Sequence, residues 1–362
     1  MKRIGISIYP AQEKLEDILA YIDRAASYGY QRIFTCLISE ADKSSDEVMA
    51  EFRQITARAR RYDMEIIADV APEVFERYQV TYKDLSFFAD LGLSGIRLDI
   101  GQSGLEESIM SLNPHGLKIE LNMSNGTRYL ENILSQCPSV DHLLGCHNFY
   151  PHRYTGLGLE HFLACSRQYR QAGVRTAAFV GAPSADHGPW PVTEGLCTLE
   201  MHRELPIDVQ AKHLFSTGLI DDVIIANAFA SDEDLKRLSE VDRDVLTLNV
   251  EVSAGCSAVE QQILFDELHV DRGDVSDYMI RSTQPRVKYQ GEAFPVYYTP
   301  DLEAGDVVIE SSLYSRYAGE LQVVRRSMPN SGKSNVAARV VPQERFLIET
   351  IKPWMKFRLQ RS

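Results

Sequence analysis

Gly95-Ile-Arg-Leu-Asp99-Ile and Lys118-Ile-Glu-Leu-Asn122-Met-Ser124 decide the fold, because each alternates without a break. Ile96, Leu98 and Ile100 share one face, opposite Arg97 and Asp99; Ile119, Leu121 and Met123 oppose Glu120, Asn122 and Ser124. A solvent-facing antiparallel strand gives the same alternation. These strands, however, sit in a regular series of strand and helix patterns, which implies a parallel sheet covered by helices. Both faces of such a sheet are withdrawn from water, so a row of polar side chains is costly unless it lines a site.

Working outward, the pattern predicts strands at Arg3–Tyr9, Arg32–Ile38, Glu65–Ala71, Gly95–Gly101, Lys118–Ser124, His142–Tyr150, Arg175–Gly181 and Asp222–Ala228. Amphipathic stretches such as Leu15–Tyr28, Ser45–Tyr62, Tyr82–Leu91 and Gly158–Ala172 lie between them. Gly29, Gly92, Gly173 and Gly218 stand where helices end and the next strand begins, as C-caps do. Eight such units predict an α/β chain with a (β/α)8 TIM barrel over residues 1–240. The rival doubly wound sheet lacks a G-x-G-x-x-G after its first strand. From about Val245 the helical period fades into short alternating runs, which predict a smaller, mostly β domain over residues 245–362. Its expected strands are Leu246–Val252, Asp277–Ser282, Phe294–Tyr298, Asp306–Ser311, Glu320–Arg325 and Arg345–Ile351.

The net charge of −13 argues against nucleic acid or an anionic membrane as partner, since both are polyanions. No apolar run approaches the roughly 18 residues of a membrane span, and Lys2–Pro10 reads as a strand rather than a signal peptide. Six cysteines without C-x-x-C spacing suit reduced thiols in a cytoplasmic protein. The histidines show neither H-x-H nor H-x-x-x-H, so no metal site is expected. Ser331-Gly-Lys-Ser334 lacks the first glycine of a P-loop and reads as a turn.

In a TIM barrel the site lies at the C-terminal ends of the strands. That rule selects Asp69, Asp99, Glu120, Asn122, the run His147-Asn148-Phe149-Tyr150, and Asn227. The long loop Gly181–Gly195, with Asp186-His-Gly-Pro-Trp-Pro and Glu194, reads as a lid. Asp99 and Glu120 are the expected catalytic pair. They come from neighbouring strands about 4.8 Å apart, and at similar height their carboxyls would sit roughly 5–7 Å apart, within the span of glycosidase pairs. A structural ion pair of Asp99 with Arg97 is the alternative. The cluster at His147, Asn148 and Tyr150 offers hydrogen bonds and a ring face, which suits a sugar, though a packed aromatic corner would look the same. Arg153 beside Thr155-Gly-Leu-Gly158 could hold an anion at a helix start, or Thr155 could simply cap it.

The runs His147-Asn-Phe-Tyr-Pro151, Thr155-Gly-Leu157, Gly188-Pro189 and Glu194-Gly-Leu-Cys-Thr-Leu-Glu-Met-His-Arg203 resemble signature stretches of the 6-phospho-N-acetylmuramidase family. Asp222-Val-Ile-Ile and Ile280-Arg-Ser282 fit the same pattern; Cys197 departs from an expected proline. The resemblance spans essentially the whole chain. It implies a barrel with a C-terminal cyclophilin-like β domain, no cofactor, and cytoplasmic hydrolysis of the β-1,4 bond in 6-phospho-MurNAc-GlcNAc from recycled peptidoglycan. It does not carry over the catalytic pair. Such a substrate bears a phosphate and a carboxylate, which call for local arginines. Arg97, Arg153 and Arg203 are the barrel's candidates, and Arg281 and Arg286 could reach over from the second domain as a lid. A non-catalytic phosphosugar sensor, or a lyase or isomerase using Glu120 as base, are the rival readings.

Overall fold

The structure, a computed structural model, describes residues 1–37 and 44–362. The chain divides into two compact units, Met1–Val241 and Asp242–Ser362. The first holds eight parallel strands: β1 (Arg3–Ile8), β2 (Arg32–Cys36), β3 (Glu65–Val70), β4 (Gly95–Leu98), β5 (Lys118–Asn122), β6 (Leu143–Cys146), β7 (Arg175–Val180) and β8 (Asp222–Ile225). They pair in chain order and close between β1 and β8, where Arg3 registers with Asp222.

The alternation has the expected meaning. Ile96, Leu98, Ile119 and Leu121 pack outward with helix residues such as Phe52 and Phe88 in the main core. Each such side chain contributes about 1.5–3 kcal/mol by leaving water. Inside the barrel, Phe34, Cys146, Ala177, Phe179, Ile224 and Ala226 form a separate apolar cluster. Helices fill the crossovers, and Gly29, Gly92, Gly173 and Gly218 all adopt positive φ (79°, 81°, 76° and 69°), the left-handed turn that redirects the chain into the next strand.

The strands end earlier than the sequence pattern suggests, by up to four residues after β6, because hydrogen-bonding residues there continue into the loops that build the mouth. Ile100 therefore falls beyond β4 and is exposed. Ile38, expected to end β2, lies outside the described residues.

The second unit carries one seven-stranded sheet: β9 (Leu246–Val252), β10 (His269–Val270), β11 (Met279–Ser282), β12 (Asp306–Glu310), β13 (Leu321–Val324), β14 (Ser334–Val340) and β15 (Lys356–Arg361), in the order β10-β15-β9-β14-β12-β13-β11. All pairings are antiparallel except β15 with β9. Three expectations need correcting. Phe294–Tyr298 is not a strand, and it contains Pro295, which has no N–H for a ladder. Arg345–Ile351 falls mainly in the 3-10 helix Pro342–Thr350, opened by a proline at its first position. Strands also form at His269–Val270, Ser334–Val340 and Lys356–Arg361, beyond the six expected. The Ser331–Ser334 run is indeed a turn into β14, with Gly332 at φ 78°.

Candidate active site

A cavity of about 290 Å³ opens at the C-terminal ends of the barrel strands, lined by Phe34, Cys36, Asp69, Arg97, Asp99 and Asn148, with Phe149, Phe179, Pro189 and Trp190. Arg97, pointing inward from β4, is its centre. Its Nη1 donates to Asp69 Oδ1 at 2.8 Å and lies 3.8 Å from Asp99 Oδ1, while Nη2 donates to Asn148 Oδ1. Both carboxylates share one guanidinium nitrogen, so Asp69 Oδ1 and Asp99 Oδ1 are no further apart than the sum of those two distances. That limit admits the roughly 5–5.5 Å of a retaining glycosidase pair and excludes the wide end of the inverting range for these two oxygens.

The two carboxylates differ in environment. Asp69 is buried, and burial pushes its carboxyl up from the ordinary value, an effect that Arg97 only partly offsets. Asp99 projects past the end of β4 with its side chain 45% exposed. Two groups of the same type thus face one cavity from unlike surroundings, one buried against Arg97 and one open to solvent.

Glu120 does not join them. The register sets it beside Arg97, leaving Asp99 two residues further toward the mouth. Its side chain is fully buried and ion-paired with Arg32, which also donates to Asp222 at 2.8 Å. The expectation that Asp99 and Glu120 reach similar height fails, because height in a barrel depends on the stagger of the strands and not on which face a residue occupies.

Asn148 is placed in the cavity, and its backbone N–H is held by Ser124 Oγ at 2.8 Å. His147 lies behind it, fully buried, between Ser124 Oγ and Ser166 Oγ at 3.3 and 2.9 Å and against the Phe162 ring. Burial pushes its pKa down to about 3, so the ring is neutral and serves as a packed corner. Asn122 accepts from the Ser124 N–H, Tyr150 bridges to Cys197, and Asn227 accepts from the Ala182 N–H. These residues shape loops and do not line the cavity.

The arginine cluster is likewise dispersed. Arg153 pairs with Glu204 at 2.8 Å, and Glu194 accepts from the Arg153 N–H. Arg203 donates to Glu200 at 2.6 Å and to the carbonyls of Tyr150 and Glu194. The helix opens only at Leu159, after Gly158, and in the loop before it the Tyr154 and Gly156 N–H groups donate to Glu200 at 2.8 Å each. Thr155 donates to the His152 carbonyl and caps nothing. Arg281 and Arg286, in the second unit, both pair with Glu320, at 3.2 and 2.9 Å. Among the described residues Arg97 is the one cation lining the cavity.

Phe34, Cys36 and Phe179 line the cavity without having been anticipated, since inward apolar residues on a strand read as core. Trp190 carried the better signal, in a Gly- and Pro-rich loop. It is 52% exposed, so one large ring faces the opening.

Two family models match the chain, 6-phospho-N-acetylmuramidase N-terminal over residues 4–240 and C-terminal over residues 246–360. An uncharacterized B. cereus protein of known structure is 47% identical, with a TM-score of 0.92, covering 99% of this chain and 100% of its own. A conserved Enterococcus faecalis protein of unknown function is 25% identical, with a TM-score of 0.71, covering 99% of this chain and 96% of its own. No curated protein matches the chain.

Proposed function

The chain belongs to the 6-phospho-N-acetylmuramidase family of glycosidases, and we propose that its barrel mouth hydrolyses the β-1,4 bond of 6-phospho-MurNAc-GlcNAc with Asp69 and Asp99 as the working pair. The observation that carries this reading is the placement of two carboxylates with unlike environments on one guanidinium, inside a cavity walled by Phe149 and Trp190. The family match supports the substrate class, and the cavity lining supports the chemistry.

Asp69, buried and with its carboxyl pushed up from the ordinary value, takes the role of general acid to the leaving glycosidic oxygen. Asp99, exposed at the opening, serves the anomeric carbon, as nucleophile or as the base for water. Arg97 sets their spacing and is itself fixed by Asn148. Glu120 acts one layer below, as part of the network that holds Arg32. Phe149 and Trp190 offer ring faces to the sugar's C–H surface.

A role in cytoplasmic recycling of cell-wall sugars follows from the same reading. The six cysteines are free thiols, which accords with a reducing compartment, and no helix among the described residues is long and apolar enough to cross a membrane.

Incubation of the pure protein with 6-phospho-MurNAc-GlcNAc should release GlcNAc, detectable by mass spectrometry. Asp69→Asn and Asp99→Asn should each suppress that release. No GlcNAc from the wild-type protein would overturn the substrate assignment. Unchanged turnover in both variants would overturn the pair alone.

A further inference from the structure

A cavity of about 480 Å³ lies in the second unit and has no part in the barrel chemistry. Its floor is one face of the sheet. Register sets Arg281 beside Gln322, Gln322 beside Val308, and Glu310 beside Ser334, so these side chains share that face. One end is apolar, where Leu302, Val308, Val324 and Val336 pack with Met279 and Met328. The other end is polar, and Tyr314 and Tyr317 stand at its rim.

Charge at the polar end is unevenly matched. Glu320 takes two cations, Arg281 and Arg286, and accepts from Gln322 Nε2 at 3.3 Å. Glu310 is 5% exposed and accepts one hydrogen bond, from Ser334 Oγ at 2.8 Å. None of the described residues offers it an ion pair. A buried carboxylate in that state is costly, and its demand is for a positive charge or a proton.

We propose that this cavity is a second ligand site, taking a primary alkylammonium group with its head on Glu310 and its stem along Met279, Leu302 and Met328. The group could belong to a free amine or to a lysine-like side chain, since both present the same head and stem. Without a ligand the carboxyl compensates by holding its proton: burial pushes Glu310 up to about 7, and Glu320 adds to the rise. Ser334 and Arg281 oppose it; Lys333, over the Tyr314 ring, and Asp274, 4.0 Å from Arg281 and paired with Arg272, are further charges nearby.

The test is a titration of the full chain carrying 13C-methyl methionine, since the Met279 and Met328 methyls report directly from the wall. Pentylamine should shift both resonances with an affinity in the millimolar range, and 1-pentanol, its uncharged analogue, should bind at least about tenfold more weakly. Nα-acetyl-lysine methylamide in a third arm separates the two sources: binding tighter than pentylamine assigns the site to a peptide side chain, and weaker binding assigns it to a free amine. Between pH 6 and pH 8 pentylamine affinity should rise about tenfold as Glu310 loses its proton while the amine stays charged. Glu310→Gln should abolish the preference for amine over alcohol. Equal affinity for pentylamine and pentanol, or no methyl shift from either amine, would overturn the proposal, and the wild-type pH series decides it even if the variant fails to fold.

Discussion

The two ends of the barrel carry the same residue types to opposite effect. At the N-terminal end Arg32, 1% exposed, bridges Glu120 and Asp222, and Asp222 also receives Arg3 and Arg175. Burial raises the Asp222 carboxyl, but those hydrogen bonds and charges outweigh it and hold the group well below the usual carboxylate range. Arg3 also pairs with Glu65 at 2.6 Å, so arginines and carboxylates are matched there. At the mouth they are not, with one guanidinium serving two carboxylates beside a cavity, and Asp69 is pushed up. A matched supply of cations holds a carboxylate down, and a short supply lets burial raise it. Barrel depth separates a structural network from a reactive one.

That contrast breaks most readily at the sealed end. Arg32→Met leaves the fully buried Glu120 without its ion-pair partner, while Asp222 keeps Arg3 and Arg175, and a loss of about 3–5 kcal/mol is expected in denaturant unfolding. A loss well under 1 kcal/mol would mean that the network is ornamental. At the mouth, Asp69→Asn should lower turnover by about 10²–10⁴-fold with a smaller loss of stability than Arg32→Met, because the amide oxygen can still accept from Arg97. Unfolding and GlcNAc release measured on one preparation check both halves.

The pH slopes should oppose one another. Asp222, depressed in the folded state, contributes stability that is present above its unfolded value and lost as pH falls through the folded one. Asp222→Asn should therefore differ most from wild type near neutral pH and least in strong acid. Asp69, raised, contributes stability below its unfolded value and loses it as pH rises. Unfolding of the two variants across pH 3 to pH 8 should give trends of opposite sign; parallel trends would dissolve the contrast. The smallest effect is expected at Trp190→Ala, where loss of a ring contact of about 0.5–1.5 kcal/mol should raise KM up to roughly tenfold with kcat nearly unchanged.

Much of the barrel is legible in the chain because its signals are local. The alternation through Ile96 and Leu98 marks the outward face, and glycines at helix ends mark the turns. Glu120 shows where locality stops. Its face is readable from its neighbours, but its height follows from strand stagger and from Arg32, 88 residues away in sequence. Arg153 and Arg203 were misplaced for a related reason, since the carboxylates that claim them, Glu204 and Glu200, are matched through loop geometry. Phe34 and Phe179 carry no mark that separates a cavity wall from core. In the β unit Arg345–Ile351 has the composition of a strand, yet Pro342 starts a helix before it.

Glu200 has a consequence for binding heat and speed. By taking the Tyr154 and Gly156 amides and the Arg203 guanidinium, it stitches the loops after β6 and β7 together before any substrate arrives. The wall bearing Asn148 and Phe149 is then already ordered, so a sugar entering the cavity need not supply the free energy to freeze it. Calorimetry should show a modest heat-capacity change, confined to the surface the ligand itself covers, and association without a slow conformational phase.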